Sequence, residues 1–365
     1  MKALILAGGF GTRLRPLSCT RPKTLFPIVN KPLLQLIFER LVKNDIGEAI
    51  LAVNSLTAFQ IEQHQVPRYG LRVEYSLDPK KMPLGTGGPI KNAEKLIGKS
   101  EIFLVLNGDI LAELSYREIL EKHEERGNLV TIALHEVEDP SRFGVAELAE
   151  KSRIKKFIEK PAKGKAPTNL INAGVYVLSP KVFQYIPKGK AVSMEREIFP
   201  KLVKEGELYG HIFKGLWMDI GKPEEYLRAN KAFLDSFVKN QTNLSIREYK
   251  LNNPVAFDKG VCIGAKSVIG PYAILGKNVI VGKKVQISES VILSDVKIDD
   301  YSSINGAIIG EGAIIGRKTR ICRGCVVGDQ AKIEDNISFS KKSVVCPSTE
   351  VNGEIAKSNH LLKER

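Results

Sequence analysis

Two hydrophobic rhythms divide this chain near residue 250. Before that point, short apolar runs alternate with stretches whose apolar residues recur every three or four positions. Strand-like runs occupy 3–7, 50–53, 71–75, 102–106, 129–134 and 175–178. The run at 102–106 is continuous, as expected of a central strand covered on both faces. Leu33, Ile37 and Leu41 share one helical face, with Pro32 suited to the first turn and Gly47 near the stop. This alternation predicts an α/β domain with a Rossmann-like mixed, mostly parallel sheet and helices on both faces. In such sheets, ligands sit beyond the carboxyl ends of the strands.

After residue 250 the period becomes six. Ile263, Ile269, Leu275, Val281, Ile287 and Leu293 follow one another at that interval. A five-residue step leads to Ile298 and Ile304, and another to Ile309, Ile315, Ile321, Val327 and Ile333. Glycine follows the aliphatic residue at 264, 270, 276, 282, 310, 316 and 328, and small or branched residues such as Ala273, Val279, Val285, Val291 and Ala313 come four positions after it. Neither a helix nor a free strand has this period. It predicts a hexapeptide parallel β-helix of roughly four coils, with the aliphatic residues pointing into the prism. The expected division is an α/β domain over 1–235, a polar linker over 236–254, a β-helix over 255–350 and a tail over 351–365 that caps the last coil or frays.

Composition narrows the classes. With 365 residues, 43% hydrophobic and 26% charged, the chain reads as a soluble globular protein of two domains. A formal charge of +14 suits polyanionic ligands or a lysine-rich surface. No Lys/Arg block with interleaved aromatics points to nucleic acid. No apolar stretch approaches the roughly twenty residues of a membrane span, and the first apolar run is too short for a secretory signal. Five cysteines without framework spacing suit a reduced, cytoplasmic protein. Cys322 and Cys325 form a lone C-x-x-C with no second pair, so no zinc site is expected.

The chemistry concentrates in residues 6–32, LAGGFGTRLRPLSCTRPKTLFPIVNKP. Gly8, Gly9 and Gly11 follow the first strand run, where missing Cβ atoms let backbone N–H groups approach phosphates. Arg13, Arg15, Arg21 and Lys23 place four cations beyond the turn, and Pro16, Pro22, Pro27 and Pro32 keep the segment extended. A nucleoside triphosphate suits this cradle. Neither common phosphate loop is present: Leu14 stands at the third glycine of a dinucleotide fingerprint, and the Walker A pattern is missing. Gly8 and Asp109 each follow an apolar strand run, which links the two motifs to one sheet edge.

The string GGFGTRLRPLSCTRPKTLFP resembles the signature of the sugar-1-phosphate nucleotidyltransferases, with Ser18 where that family usually has Thr. PLGTGG at 83–88, NGD at 107–109, RFGV at 142–145, EKP at 159–161, INAGVYVL at 171–178 and LWMDIGKPEEYL at 216–227 continue the likeness over the first two-thirds of the chain. Read alone, NGD is a turn, EKP an exposed charged turn and 83–88 a glycine-rich loop; the family pattern gives them roles.

The resemblance implies a nucleotidyltransferase domain followed by a left-handed β-helix. It also implies transfer of a nucleotidyl group from an NTP to a sugar-1-phosphate, with release of pyrophosphate. The nucleophile is a phosphate oxygen, already anionic near neutral pH, so catalysis is positioning and electrostatics without a general base. Arg13 would bind the leaving pyrophosphate through its planar fork and Lys23 would act as a point charge. Asp109 and Asp219 would hold Mg2+. The nucleotide would contact Leu6, Ala7, Gly8, Gly9, Gly11, Thr12, Arg13 and Lys23. Pro83, Gly85, Thr86 and Gly108 would complete that set, with 83–88 reading the base edge. Gly144, Glu159, Lys160, Asn172 and Gly174 would receive the sugar phosphate.

Within the family, segments 193–200 and 217–227 look most like the mannose-1-phosphate guanylyltransferases, which implies GTP and mannose-1-phosphate. The alternatives are a glucose-1-phosphate thymidylyl- or uridylyltransferase and a non-catalytic regulator that binds nucleotide sugars; Arg13, Lys23, Asp109 and Asp219 argue for catalysis. After His211 only His360 remains, so the β-helix lacks the histidine of acyltransferases built on that architecture. It reads as an assembly or regulatory module, with a homo-oligomer expected.

Overall fold

The computed structural model describes residues 1–9, 11–79, 84–98, 102–237, 244–245 and 248–353. Two compact units emerge. One comprises Met1–Gly9, Lys23–Leu25 and Leu33–Asp219; the other comprises Phe10–Pro22, Phe26–Pro32 and Ile220–Arg365. Most of the glycine-arginine signature groups with the second unit.

The first unit is built on a nine-stranded sheet. Along its main path the order is Ile154–Glu159, Gly144–Leu148, Leu170–Leu178, Phe103–Asn107, Lys2–Leu6, Glu48–Val53, Arg72–Leu77. Val130–Glu136 pairs with Leu170–Leu178 and with Leu208–Ile212. Only Leu170–Leu178 and Ile154–Glu159 run against the rest, so the sheet is mixed and mostly parallel, as expected. Its core includes Leu4, Ile50, Phe103, Val105, Tyr176 and Phe199. Helix Leu33–Lys43 buries Leu33, Leu34, Ile37, Phe38 and Leu41 and carries Arg40 and Lys43 in its last turn, where the helix dipole favours cations. Strand Leu170–Leu178 begins earlier than the apolar run at 175–178. Its pairing with Val130–Glu136 shifts register between Asn172 and Tyr176, and this bulge around Gly174 breaks the alternation that would have announced the strand.

In the second unit three six-stranded sheets form the faces of a β-helix. Strands on each face stack in parallel at steps such as Ile269 on Ile287, Ile298 on Ile315 and Ile315 on Ile333. This arrangement is consistent with the left-handed β-helix the resemblance implies. One ladder corrects the sequence reading. Leu275 pairs with Ile292 and Ile292 with Ile309, so Ile292, not Leu293, occupies the interior column and the short step falls between 287 and 292. At the corners the chain turns through left-handed backbone at Asn278, Lys284, Asp295, Lys318 and their counterparts. Strand Lys250–Leu251, inside the expected linker, already pairs with Val268–Ile269. The tail expected to cap or fray lies outside the described residues from 354 onward.

One face of the prism is buried on its outer side as well. Ile274, Val291, Ile308 and Val326 point away from the interior column, yet each is no more than 3% exposed. Elements of the same unit lie against these coils. Asn30 Nδ2 donates to the Leu275 carbonyl at 3.1 Å, and the Tyr272 hydroxyl donates to Asp235, on helix Pro223–Phe237, at 2.9 Å. All five cysteines are free, and the Cys325 thiol donates to the Ser340 carbonyl. Among the described residues no helix is long and apolar enough to cross a membrane.

Candidate active site

Parallel register brings the carboxyl ends of the central strands of the first unit to one edge. Leu6 lies beside Asn107, and the Gly108 N–H donates to the Leu6 carbonyl at 2.9 Å. A Cβ on Gly108 would stand 2.9 Å from that carbonyl oxygen and from Thr24 Cγ2. Close packing thus requires glycine here, and the resulting turn presents Asp109. Lys23 Nζ meets Asp109 Oδ2 at 3.0 Å, with the two side chains 12% and 30% exposed. Two charges singled out from distant motifs are therefore partners. Ile110–Ala112 pairs antiparallel with Trp217–Asp219, and Asp219 stands opposite Ile110. The two proposed metal carboxylates thus come to the same end of one ladder. Among the described residues, His, Cys, Asp and Glu nowhere gather in threes as a metal cage. Two carboxylates are the donor set that fits Mg2+, which keeps water and phosphate oxygens in its remaining positions.

The residues expected at the sugar phosphate sit farther along the same unit. Asn172 accepts from the Gly174 N–H at 2.9 Å and donates to the Tyr176 hydroxyl at 3.0 Å, so its amide also shapes the bulge. Gly144 faces Glu159: a Cβ there would be 2.5 Å from Phe157 Cζ and 2.9 Å from Glu159 Oε2. Burial, and then the charge of Glu195, push the Glu159 carboxyl upward against the pull of Lys160. Lys160 is exposed, adopts φ of 50° and places Nζ 3.5 Å from Glu159 Oε1. Trp217 donates its indole N–H to the Ala173 carbonyl at 3.0 Å and meets Phe143 edge-on.

In the 83–88 loop, Pro83 lies outside the described residues. The Thr86 hydroxyl donates to Glu195 at 2.6 Å and accepts from the Met194 N–H at 2.9 Å. Gly85 has φ of 69°, and a Cβ would come within 2.3 Å of the Val192 carbonyl oxygen. Thr86, with the Gly87–Val192 and Val192–Leu84 backbone bonds, ties the loop to 192–195. Glu195 was not singled out from sequence, although its segment was part of the resemblance; it accepts from both Thr86 and Ser193. Asp78 was missed as well. It directly follows strand Arg72–Leu77, and a Cβ on Gly8 would be 3.4 Å from its Oδ2. Burial raises its carboxyl to about 6, against a hydrogen bond from Asn92. Its position after a strand, like that of Asp109, was the available signal.

Leu6, Ala7, Gly8 and Gly9 belong to the first unit, whereas Gly11, Thr12 and Arg13 belong to the second. Gly11 takes φ of 61° at the start of the short turn Thr12–Leu14, and the Ser18 hydroxyl donates to its carbonyl at 2.7 Å. Leu14 and Leu17 are buried, leaving Thr12 and Arg13 exposed at the tip.

The chain belongs to the nucleotidyl transferase family, whose model matches residues 2–236, and residues 251–361 match the GMPPB C-terminal domain. Mannose-1-phosphate guanyltransferase of Aspergillus oryzae is 36% identical over 354 residues, covering 94% of this chain and 96% of its own. Mannose-1-phosphate guanylyltransferase 1 of Arabidopsis thaliana is 35% identical over 361 residues, covering 98% and 99%. The crystal structure of HddC from Yersinia pseudotuberculosis complexed with GMP-PN is similar with a TM-score of 0.55 and 32% identity, over 64% of this chain and 99% of that one.

Proposed function

We propose that the chain transfers GMP from GTP to mannose-1-phosphate, giving GDP-mannose and pyrophosphate. The observation that carries this reading is the likeness to mannose-1-phosphate guanyltransferases along both units, at 36% identity over 94% of the chain. A phosphate oxygen of the sugar attacks the α-phosphorus in line; the new P–O bond forms as the bond to the β-phosphate oxygen breaks. Arg13 binds the departing pyrophosphate and Lys23 neutralises the phosphate chain. Lys160 holds the sugar phosphate, and Glu159 accepts from sugar hydroxyls. Gly144, Asn172 and Gly174 shape the sugar's seat. Nucleotidyltransferases of this family generally use a divalent metal; Asp109 and Asp219 would hold Mg2+, which neutralises developing charge on the phosphates.

The reading also takes the protein as a cytoplasmic homo-oligomer associating through the β-helix, to be checked by cell fractionation and by sedimentation of the full chain with and without that segment's surface charges. The decisive assay presents GTP, dTTP, UTP and ATP with mannose- and glucose-1-phosphate to the purified protein. GDP-mannose is the expected product. Product formation with dTTP or UTP alone removes the guanylyl assignment, and tight nucleotide-sugar binding without turnover makes the chain a regulator.

A further inference from the structure

The signature carries an arginine with no role in the scheme above, and its partners lie on the β-helix. Arg21 Nη2 donates to Asp329 Oδ2 at 2.9 Å and to Glu311 Oε2 at 2.7 Å. The Thr20 hydroxyl donates to the same Asp329 oxygen at 2.5 Å, and Asp329 Oδ1 accepts from the Glu311 N–H at 2.8 Å. This is no surface pair: the Arg21 and Asp329 side chains are 10% and 7% exposed. The guanidinium also lies 5.9 Å from the Phe26 ring centroid, and Phe26 packs edge-on against buried Tyr226. Burial acts to lower the Arg21 pKa, but Asp329 and then Glu311 outweigh it and hold it above its ordinary value.

Such a cluster is a poor device for stability alone, because apolar residues of equal volume commonly serve as well or better. Its geometry does something an apolar patch does not: it fixes direction. Two donors, the Arg21 guanidinium and the Thr20 hydroxyl, converge on one carboxylate from a loop that then runs back to Arg13. Between clasp and tip, Leu17 and Leu14 are fully buried, and the Ser18 hydroxyl closes onto the Gly11 carbonyl at 2.7 Å. The Leu14 N–H closes onto the same carbonyl at 2.9 Å. The exposed tip, Thr12 and Arg13, is only as well placed as these anchors. A misplacement of about 1 Å in a catalytic group is enough to lower a rate by about 10²-fold.

We propose that Arg21 is a positioning residue: clasped by Asp329 and Glu311, it fixes the 11–20 loop so that Arg13 meets the departing pyrophosphate, and the β-helix thereby takes part in the transfer reaction. This rests on the role given to Arg13 in the proposed function. The test uses the full chain, steady-state pyrophosphate release with GTP and mannose-1-phosphate, and hydrogen exchange of peptides covering 11–20. Arg21→Gln and Asp329→Asn are each expected to lower kcat by about 10–100-fold. The KM for GTP should stay within about threefold, because the group being misplaced acts on the leaving group in the transition state. Exchange protection should be lost at 11–20 and kept in the β-helix coils. The double variant should be no worse than the worse single, as for two halves of one device. Arg21→Lys, which keeps the charge without the fork, should recover part of the lost kcat.

If Asp329→Asn does not fold, Glu311→Gln replaces it in the same two assays, since that carboxylate is 39% exposed. Native kcat together with native protection in Arg21→Gln overturns the proposal. So does a loss of protection that spreads evenly through the coils without recovery by Arg21→Lys. Absence of turnover in the unaltered chain overturns the transfer reading instead; exchange at 11–20 then still decides whether the clasp holds the loop.

Discussion

Gly174→Ala is a small change placed where fold and site meet. The residue sits at φ of 70°, in the middle of the bulge of strand Leu170–Leu178. An added Cβ would stand 2.3 Å from Ile110 Cδ1 and 2.7 Å from Asn107 Nδ2. Left-handed backbone costs alanine about 1–2 kcal/mol. Relieving a contact more than 1 Å too short in a packed region adds about 1–3 kcal/mol. Together they come to about 2–5 kcal/mol, or a fall of about 0.7–2.5 M in urea midpoint at a slope of about 2–3 kcal/mol/M. The chain has one tryptophan, and Trp217 bonds to the neighbouring Ala173, so its fluorescence reports unfolding of this unit. The displaced neighbours matter for activity too. Asn107 leads into Asp109, and Ile110 stands opposite Asp219, so kcat should fall by about 10²-fold. A Gly174→Ala protein with native midpoint and native kcat would show that the bulge is not packed as described and does not place the two aspartates.

Arg13→Gln and Lys23→Met should each lower kcat by about 10²–10³-fold, measured by pyrophosphate release, while leaving the urea midpoint of the Arg13 variant unchanged. Asp78, raised to about 6 by burial, keeps a proton in the folded state that the unfolded chain has released. Its contribution to stability is therefore present below about pH 4 and is lost as pH rises to about 6. Subtracting the urea stabilities of Asp78→Asn from those of the parent protein should reveal that slope, and a flat difference would contradict it. Ile309→Ala removes a fully buried interior residue of the β-helix and should destabilise that unit by about 2–5 kcal/mol, read by far-ultraviolet circular dichroism.

What could be read from the sequence was whatever burial writes locally. The run at 102–106 and the sixfold run from Ile309 to Ile333 are signals of that kind, because each buried position repeats at the spacing of its own element. Ambiguity entered where neighbours were equally apolar: Val291, Ile292 and Leu293 offer three candidates for one interior place, and only ladder pairing chooses Ile292. The Lys23–Asp109 pair spans 86 positions and depends on parallel register, so family likeness could name both residues but local pattern could not join them. Asp78 and Glu195 escaped because each is an ordinary acidic residue until the fold buries it or sets it against a second carboxylate. The grip of Asp329 on Arg21, 308 positions away, leaves no trace in either rhythm.

The central claim is a single in-line displacement at the α-phosphorus, driven by fixed charges and without a protein-bound nucleotidyl intermediate. The direct measurement is the stereochemical outcome with GTP made chiral at that phosphorus by sulfur substitution. The account predicts inversion in the GDP-mannose formed; retention would contradict it.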